Sequence, residues 1–221
     1  MRINAVAFVP SAPLLVPAVA GGSAALDDDL RSAAVDVTRR LHESDEIIVA
    51  APTDHAGEWG SEATWSFAGF GVPRRPSPAG AVLPWSLGIG AWLLEASGWS
   101  GPRRYLGIGA EPWSTPAATA GNVGLLVVGD GSSRRTEKAP GHLDDRAAGF
   151  DASIARALAG GDPVALGRID PELATDLMCA GAPVWRWLAA ALGDDRPTTA
   201  DLLVDDARYG VGYFVAGWRF G

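Results

Sequence analysis

Between Asp130 and His142 the chain collects Asp130, Ser132, Ser133, Arg134, Arg135, Glu137, Lys138 and His142, directly behind the apolar run VGLLVV at 123–128. A carboxylate, two hydroxyls and paired guanidinium groups at one strand end could hold an anion in bidentate contacts or move protons. The ordinary alternative is a solvated connector, in which Arg134 and Arg135 pair with Glu137, Asp144 or Asp145. Three histidines add to the inventory. His55 follows Asp54 just past a strand end and could serve as a metal ligand or an acid–base group. His142 belongs to the polar loop, and His42 falls in the last turn of a helix as a surface or capping residue. Cys179 is the only cysteine, for which an inert buried thiol is the default. The chain has no HxH, no CxxC and no pair of histidines at i, i+4, so spacing alone specifies no metal site. It also lacks GxSxG and GxGxxG, which leaves nucleophile-elbow and dinucleotide readings without support.

Strands must place these groups. The runs at 3–9 (INAVAFV), 46–51 (EIIVAA) and 123–128 carry no alternating charge, the pattern of strands buried on both faces. The first ends at Pro10-Ser11-Ala12-Pro13, where the prolines hold the backbone extended. The second ends at Pro52-Thr53-Asp54-His55. These three strands are predicted neighbours in one mainly parallel sheet, with Ser11, His55 and Asp130 on the rim formed by their carboxyl ends, where open α/β sheets place their sites. A helix from about 24 to 42 buries Leu26, Leu30, Ala33, Ala34, Val37 and Leu41, with aspartates in its first turn and basic residues in its last. Further helices are expected over 83–97, 144–159, from Asp170-Pro171-Glu172 and from Pro183, and strands over 104–108, 200–205 and 210–220. The Trp-, Gly- and Pro-rich stretch 57–84 reads as an excursion with one strand at 64–70 and a turn-prone RRPSP at 74–78. The predicted fold class is α/β: one domain over 1–221, a mainly parallel central sheet flanked by helices, and an antiparallel C-terminal edge.

Composition bounds the partners. The 221 residues suffice for a large core, and a formal charge of −8 disfavours nucleic acid and anionic membrane surfaces. Prolines at 10, 13 and 17 interrupt the apolar start, which reads as a strand and loop rather than a signal peptide. No apolar run reaches the roughly 20 residues that span a bilayer, and one cysteine fits a reducing compartment. A cytoplasmic protein is expected. The nine tryptophans read as core or as subunit contact in a homo-oligomer.

Several segments, in order, resemble the class III extradiol ring-cleavage dioxygenase superfamily, the LigB-like fold, in particular its short actinobacterial-type members. VPSAPLLVP is similar to the family's first strand end, IIVAAPTDHA to its second, and VVGDGSSRRTEKAPGHLDDRAAGFD to its late strand, loop and helix. CAGAPVWRWLAAAL resembles the helix start that brings the last metal ligand, a Glu in ring-cleaving members and a Cys in the related Memo-like proteins. The resemblance implies iron or another divalent metal held by a His in each of the first two loops and by the late Glu. Ser11 stands at the first of these positions, His55 matches the second, and Ala182 or Pro183 occupies the third, with Cys179 at the Memo-like cysteine position. The family's catalytic His corresponds to Ser133 or Arg134. The expected reading is thus a LigB-like protein with a degenerate metal site, without ring cleavage. It would retain a strand-end cleft for an anionic or aromatic small molecule around Ser11, Asp130, Ser132, Arg134 and Arg135, with His55 and Ser133 as catalytic candidates. Two alternatives stay open: an active extradiol-type dioxygenase with a metal site rebuilt from Asp54, His55 and Cys179 or another acidic side chain, and a non-enzymatic Memo-like interaction protein.

Overall fold

The computed structural model describes residues 2–21, 27–72, 81–109 and 121–221. Seven strands form one mixed sheet: β1 (Arg2–Val9), β2 (Glu46–Pro52), β3 (Gly57–Trp59), β4 (Arg103–Ile108), β5 (Asn122–Val128), β6 (Thr199–Asp206) and β7 (Tyr213–Arg219). Their order is β3-β4-β2-β5-β1-β7-β6. The inner strands β4, β2, β5 and β1 run parallel, and β3 and the β7–β6 pair close the two sides antiparallel. The three apolar runs are contiguous, with β5 between β1 and β2.

Alternation along each inner strand divides the core into two layers. Val6, Phe8, Ile48, Ala50, Leu125 and Val127 face one side, where α4 (Arg146–Gly160), α5 (Pro163–Gly167), α6 (Pro171–Asp176) and α7 (Ala182–Leu192) gather. Ala5, Ala7, Ile47, Val49, Leu126 and Val128 face the other, against α2 (Asp28–Arg39) and α3 (Trp85–Ser97). A short turn of helix, α1 (Pro17–Ala20), follows the first loop. Strands covered on both faces have no solvent side to mark with charge, which is why they read as unbroken apolar runs. The edge strand β6 shows the opposite pattern, with every second residue exposed and Asp201 and Asp205 pointing outward.

The helices begin where local chemistry directs. Asp170 accepts from the Glu172 and Leu173 amides and starts α6. Phe150, Ile154 and Leu158 form the buried stripe of α4. Gly90 lets α3 approach the sheet, because a Cβ there would run into Val49.

The 57–84 excursion departs from expectation. No strand covers 64–70: Thr64 makes a single bridge to Val82, and Ala68–Phe70 is a 3-10 turn ending at Gly71, φ 82°. Trp65 and Phe67 are buried as a strand face would be, but α3 covers them, and the Trp65 indole donates to Glu95 at 2.9 Å. Among the described residues of this stretch the strand is β3, three residues long. The RRPSP turn and the helix start at 24–26, with Leu26, lie outside the described residues. His42 is half-buried rather than a surface residue, its ring beside Trp99 and its Nε2 3.2 Å from the Ser97 hydroxyl. Among the described residues no helix is long and apolar enough to cross a membrane.

Candidate functional site

The carboxyl ends of β1 and β5 are tied together by side chains. Ser11, fully buried, donates its amide to Asp130 Oδ1 at 2.8 Å and its hydroxyl to Oδ2 at 2.6 Å. Burial nevertheless raises the Asp130 carboxyl to about 6, since two hydrogen bonds do not replace the lost hydration. The antiparallel register that sets Phe8 against Ala216 brings the start of β7 alongside. There the Tyr213 phenol is pushed upward by burial and by the negative charge of Asp130 and Asp27.

The polar loop turns inward immediately after Asp130. The Asp130 carbonyl accepts from the Gly181 amide at 2.7 Å and from the Cys179 thiol at 3.5 Å. Ser132, buried, donates its hydroxyl to the Leu177 carbonyl at 3.0 Å, and the Ser133 amide donates to the same carbonyl at 3.1 Å. On its other flank the loop exchanges backbone bonds with 210–212: Gly131 to Gly212, Gly212 to Ser132 and Arg135 to Gly210. The loop therefore knits β5, the α6–α7 connection and the lead into β7.

The two arginines have different fates. Arg135 meets Asp151 at 2.9 Å, and the same carboxylate accepts the Ser132 amide at 2.8 Å. Asp151 is buried, and desolvation lifts its carboxyl against both bonds. The partner is neither Glu137, Asp144 nor Asp145 but a residue on α4. Its place was legible: Asp151 falls among Ala147, Phe150 and Ile154 on the apolar stripe, and a carboxylate there requires a partner. Among the described residues Arg134 has no salt bridge, and its Nε is buried without a hydrogen-bond acceptor.

His55 and Asp54 stand exposed in the turn after β2, at the same end of the sheet as Ser11 and Asp130, with the His55 carbonyl accepting from Thr53 Oγ1 at 2.8 Å. His142 is exposed and adopts a left-handed backbone, φ 60°. The residues at the expected ligand positions fit a metal poorly. Ser11 commits its proton to Asp130, and the Cys179 thiol is held far above its ordinary value by burial and by the Asp151 and Asp130 carboxylates. A thiol must lose its proton to bind metal well. Among the described residues no group of three His, Cys, Asp or Glu side chains is disposed to hold a metal ion.

Beside this cluster lies a cavity of about 600 Å³. It is lined by Pro52 at the end of β2 and Thr53 just beyond it, and by Ile108 at the end of β4 and Gly109 just beyond it; Ala174, Met178, Cys179 and Ala182 form much of the wall, with Arg186 of α7 also lining it. Of the sequence candidates, only Cys179 lines it. Met178 lay outside every motif, and Arg186 fell within CAGAPVWRWLAAAL without a role of its own; the fold places both on one cavity. The volume lies within the range of small-molecule sites, and strand carboxyl ends are where such sites form. Compared with known proteins, the sequence matches no family model and no curated relative.

Proposed function

We propose that this chain is a LigB-like protein that binds a small, largely apolar or aromatic molecule at the strand ends and has no ring-cleavage activity. The cavity over β2 and β4 is the observation that carries the reading: apolar, of ligand size, and walled by the α6–α7 segment that the resemblance associates with the last metal ligand. The donor set argues against ring cleavage. That reaction needs two imidazoles and a carboxylate on the metal and a base for the catechol. Here the corresponding side chains are a hydroxyl donating to Asp130, an exposed imidazole and a neutral thiol. The Ser11–Asp130 pair instead serves to hold the strand ends in register beside the cavity.

Two measurements test the reading together. The protein is loaded with ferrous iron without oxygen, then given catechol or protocatechuate in air; no ring-fission product should form, in wild type or in His55→Ala. Small aromatic compounds should raise the melting temperature with concentration. Ala180→Trp, at an exposed position on the cavity wall, should remove that gain. Turnover abolished by His55→Ala would overturn the catalytic half. Ligand gains unchanged in Ala180→Trp, or no gain with any compound, would overturn the binding half.

A further inference from the structure

Arg134 does not line that cavity itself but packs beside Met178, which does. Its backbone is fixed on both sides: its amide donates to Ser132 Oγ at 3.1 Å and its carbonyl accepts from Asp144 at 3.0 Å. Its stem is packed, since a Cβ added to Gly141 would stand 2.7 Å from Arg134 Cγ, 3.0 Å from its Nε and 2.6 Å from Met178 Sδ. Arg134 and Met178 thus close on one point, and Met178 is also part of the cavity wall. Yet Nε is buried without an acceptor among the described residues. Asp144, whose carboxylate feels the Arg134 charge, is already gripped by Arg146 at 2.8 and 3.0 Å. A buried donor without an acceptor is costly and rare, and it is tolerated where a partner arrives from outside. The backbone around it is strained as well: His142 (φ 60°) and Met178 (φ 53°) both adopt the left-handed conformation that side chains disfavour. Met178 is also 46% exposed, and a flexible thioether there can swing aside.

We propose that Arg134 is the anion-reading residue of the cavity, so that the ligand class is a small molecule with an apolar or aromatic body and one carboxylate or comparable anionic group. This rests on the cavity being the binding site. The body fills the space against Ile108, Ala174 and Ala182, and the anion passes Met178 to the guanidinium. Arg135, neutralised by Asp151, has the structural role, and the adjacent arginines divide the two tasks between them.

The test compares benzoate with benzyl alcohol, its neutral analogue of similar shape, by calorimetric titration of the whole chain. Wild type should bind benzoate more tightly than the alcohol. Arg134→Gln should weaken benzoate at least tenfold, as loss of a charged hydrogen bond implies, and leave the alcohol unchanged. Arg134→Lys should recover part of the benzoate affinity, because charge returns without the planar fork. If the alcohol binds and benzoate binds no tighter, or if Arg134→Gln leaves benzoate unaffected, the cavity reading stands and the Arg134 assignment is overturned. If neither probe binds wild type, both are overturned.

Discussion

Asp130→Asn isolates the energetic consequence of placing an ionisable group between the ends of β1 and β5. A carboxyl raised from 3.8 to about 6 binds its proton more tightly in the folded state than in the unfolded chain. This group therefore stabilises the fold most when protonated, below about pH 4, and that contribution is lost as pH rises through about 6. The full change is about 3 kcal/mol at 1.36 kcal/mol per pH unit. Asparagine keeps a carbonyl oxygen for the Ser11 amide and carries no charge at any pH. The stability of Asp130→Asn relative to wild type should thus grow by about 3 kcal/mol between about pH 4 and pH 7.5. Urea denaturation followed by circular dichroism measures both proteins across that range. Asp29, Asp144 and Asp162, whose carboxyls are lowered by arginine partners, change both curves alike and cancel in the difference. A difference that stays constant with pH would show that Asp130 is well solvated and that the Ser11 bonds do not hold a buried acid.

Further outcomes follow from the packing around the site. Arg135→Gln leaves the Asp151 carboxylate buried without its cation, and because Arg135 is partly exposed the expected loss is about 2–3 kcal/mol by denaturation; Asp151→Asn on that background should recover part of it, and no recovery would argue against the ion pair. Cys179, the only cysteine, should react with iodoacetamide far more slowly in the native protein at pH 8 than in urea, because the thiol is buried and stays protonated; comparable rates would contradict its burial. Gly90→Ala should cost about 1–3 kcal/mol through collision with Val49. Val49→Ala should then be less damaging in the Gly90→Ala chain than alone, a coupling that a double-mutant cycle reads directly.

How far the sequence carries the account depends on whether a feature is local. INAVAFV, EIIVAA and VGLLVV identify β1, β2 and β5, and their turn residues indicate one shared rim, because apolar runs and prolines are signals within the strand itself. The 57–84 excursion misleads for the same reason: Trp65 and Phe67 alternate like a strand, but tertiary cover by α3 rather than a ladder explains their burial. β3 is too short, with glycine at one end, to show any period. In the site, Ser11 and Asp130 stood out as polar groups at strand ends, and Asp151 could have been found as the one carboxylate on an apolar stripe. The cavity could not. Pro52, Ile108, Met178 and Arg186 come from four segments that only the completed sheet and α6–α7 bring together. The division between Arg134 and Arg135 was likewise out of reach, since it depends on which guanidinium faces α4.

The binding claim is tested most directly at Met178. The chain holds only two methionines, Met1 and Met178, so labelling methionine methyl groups with carbon-13 gives a spectrum in which the second reports on the cavity mouth alone. On titration with benzoate the Met178 methyl resonance should move saturably in wild type and remain fixed in Ala180→Trp. A Met178 resonance that stays in place while benzoate raises the melting temperature would put the ligand elsewhere and contradict the cavity as the site.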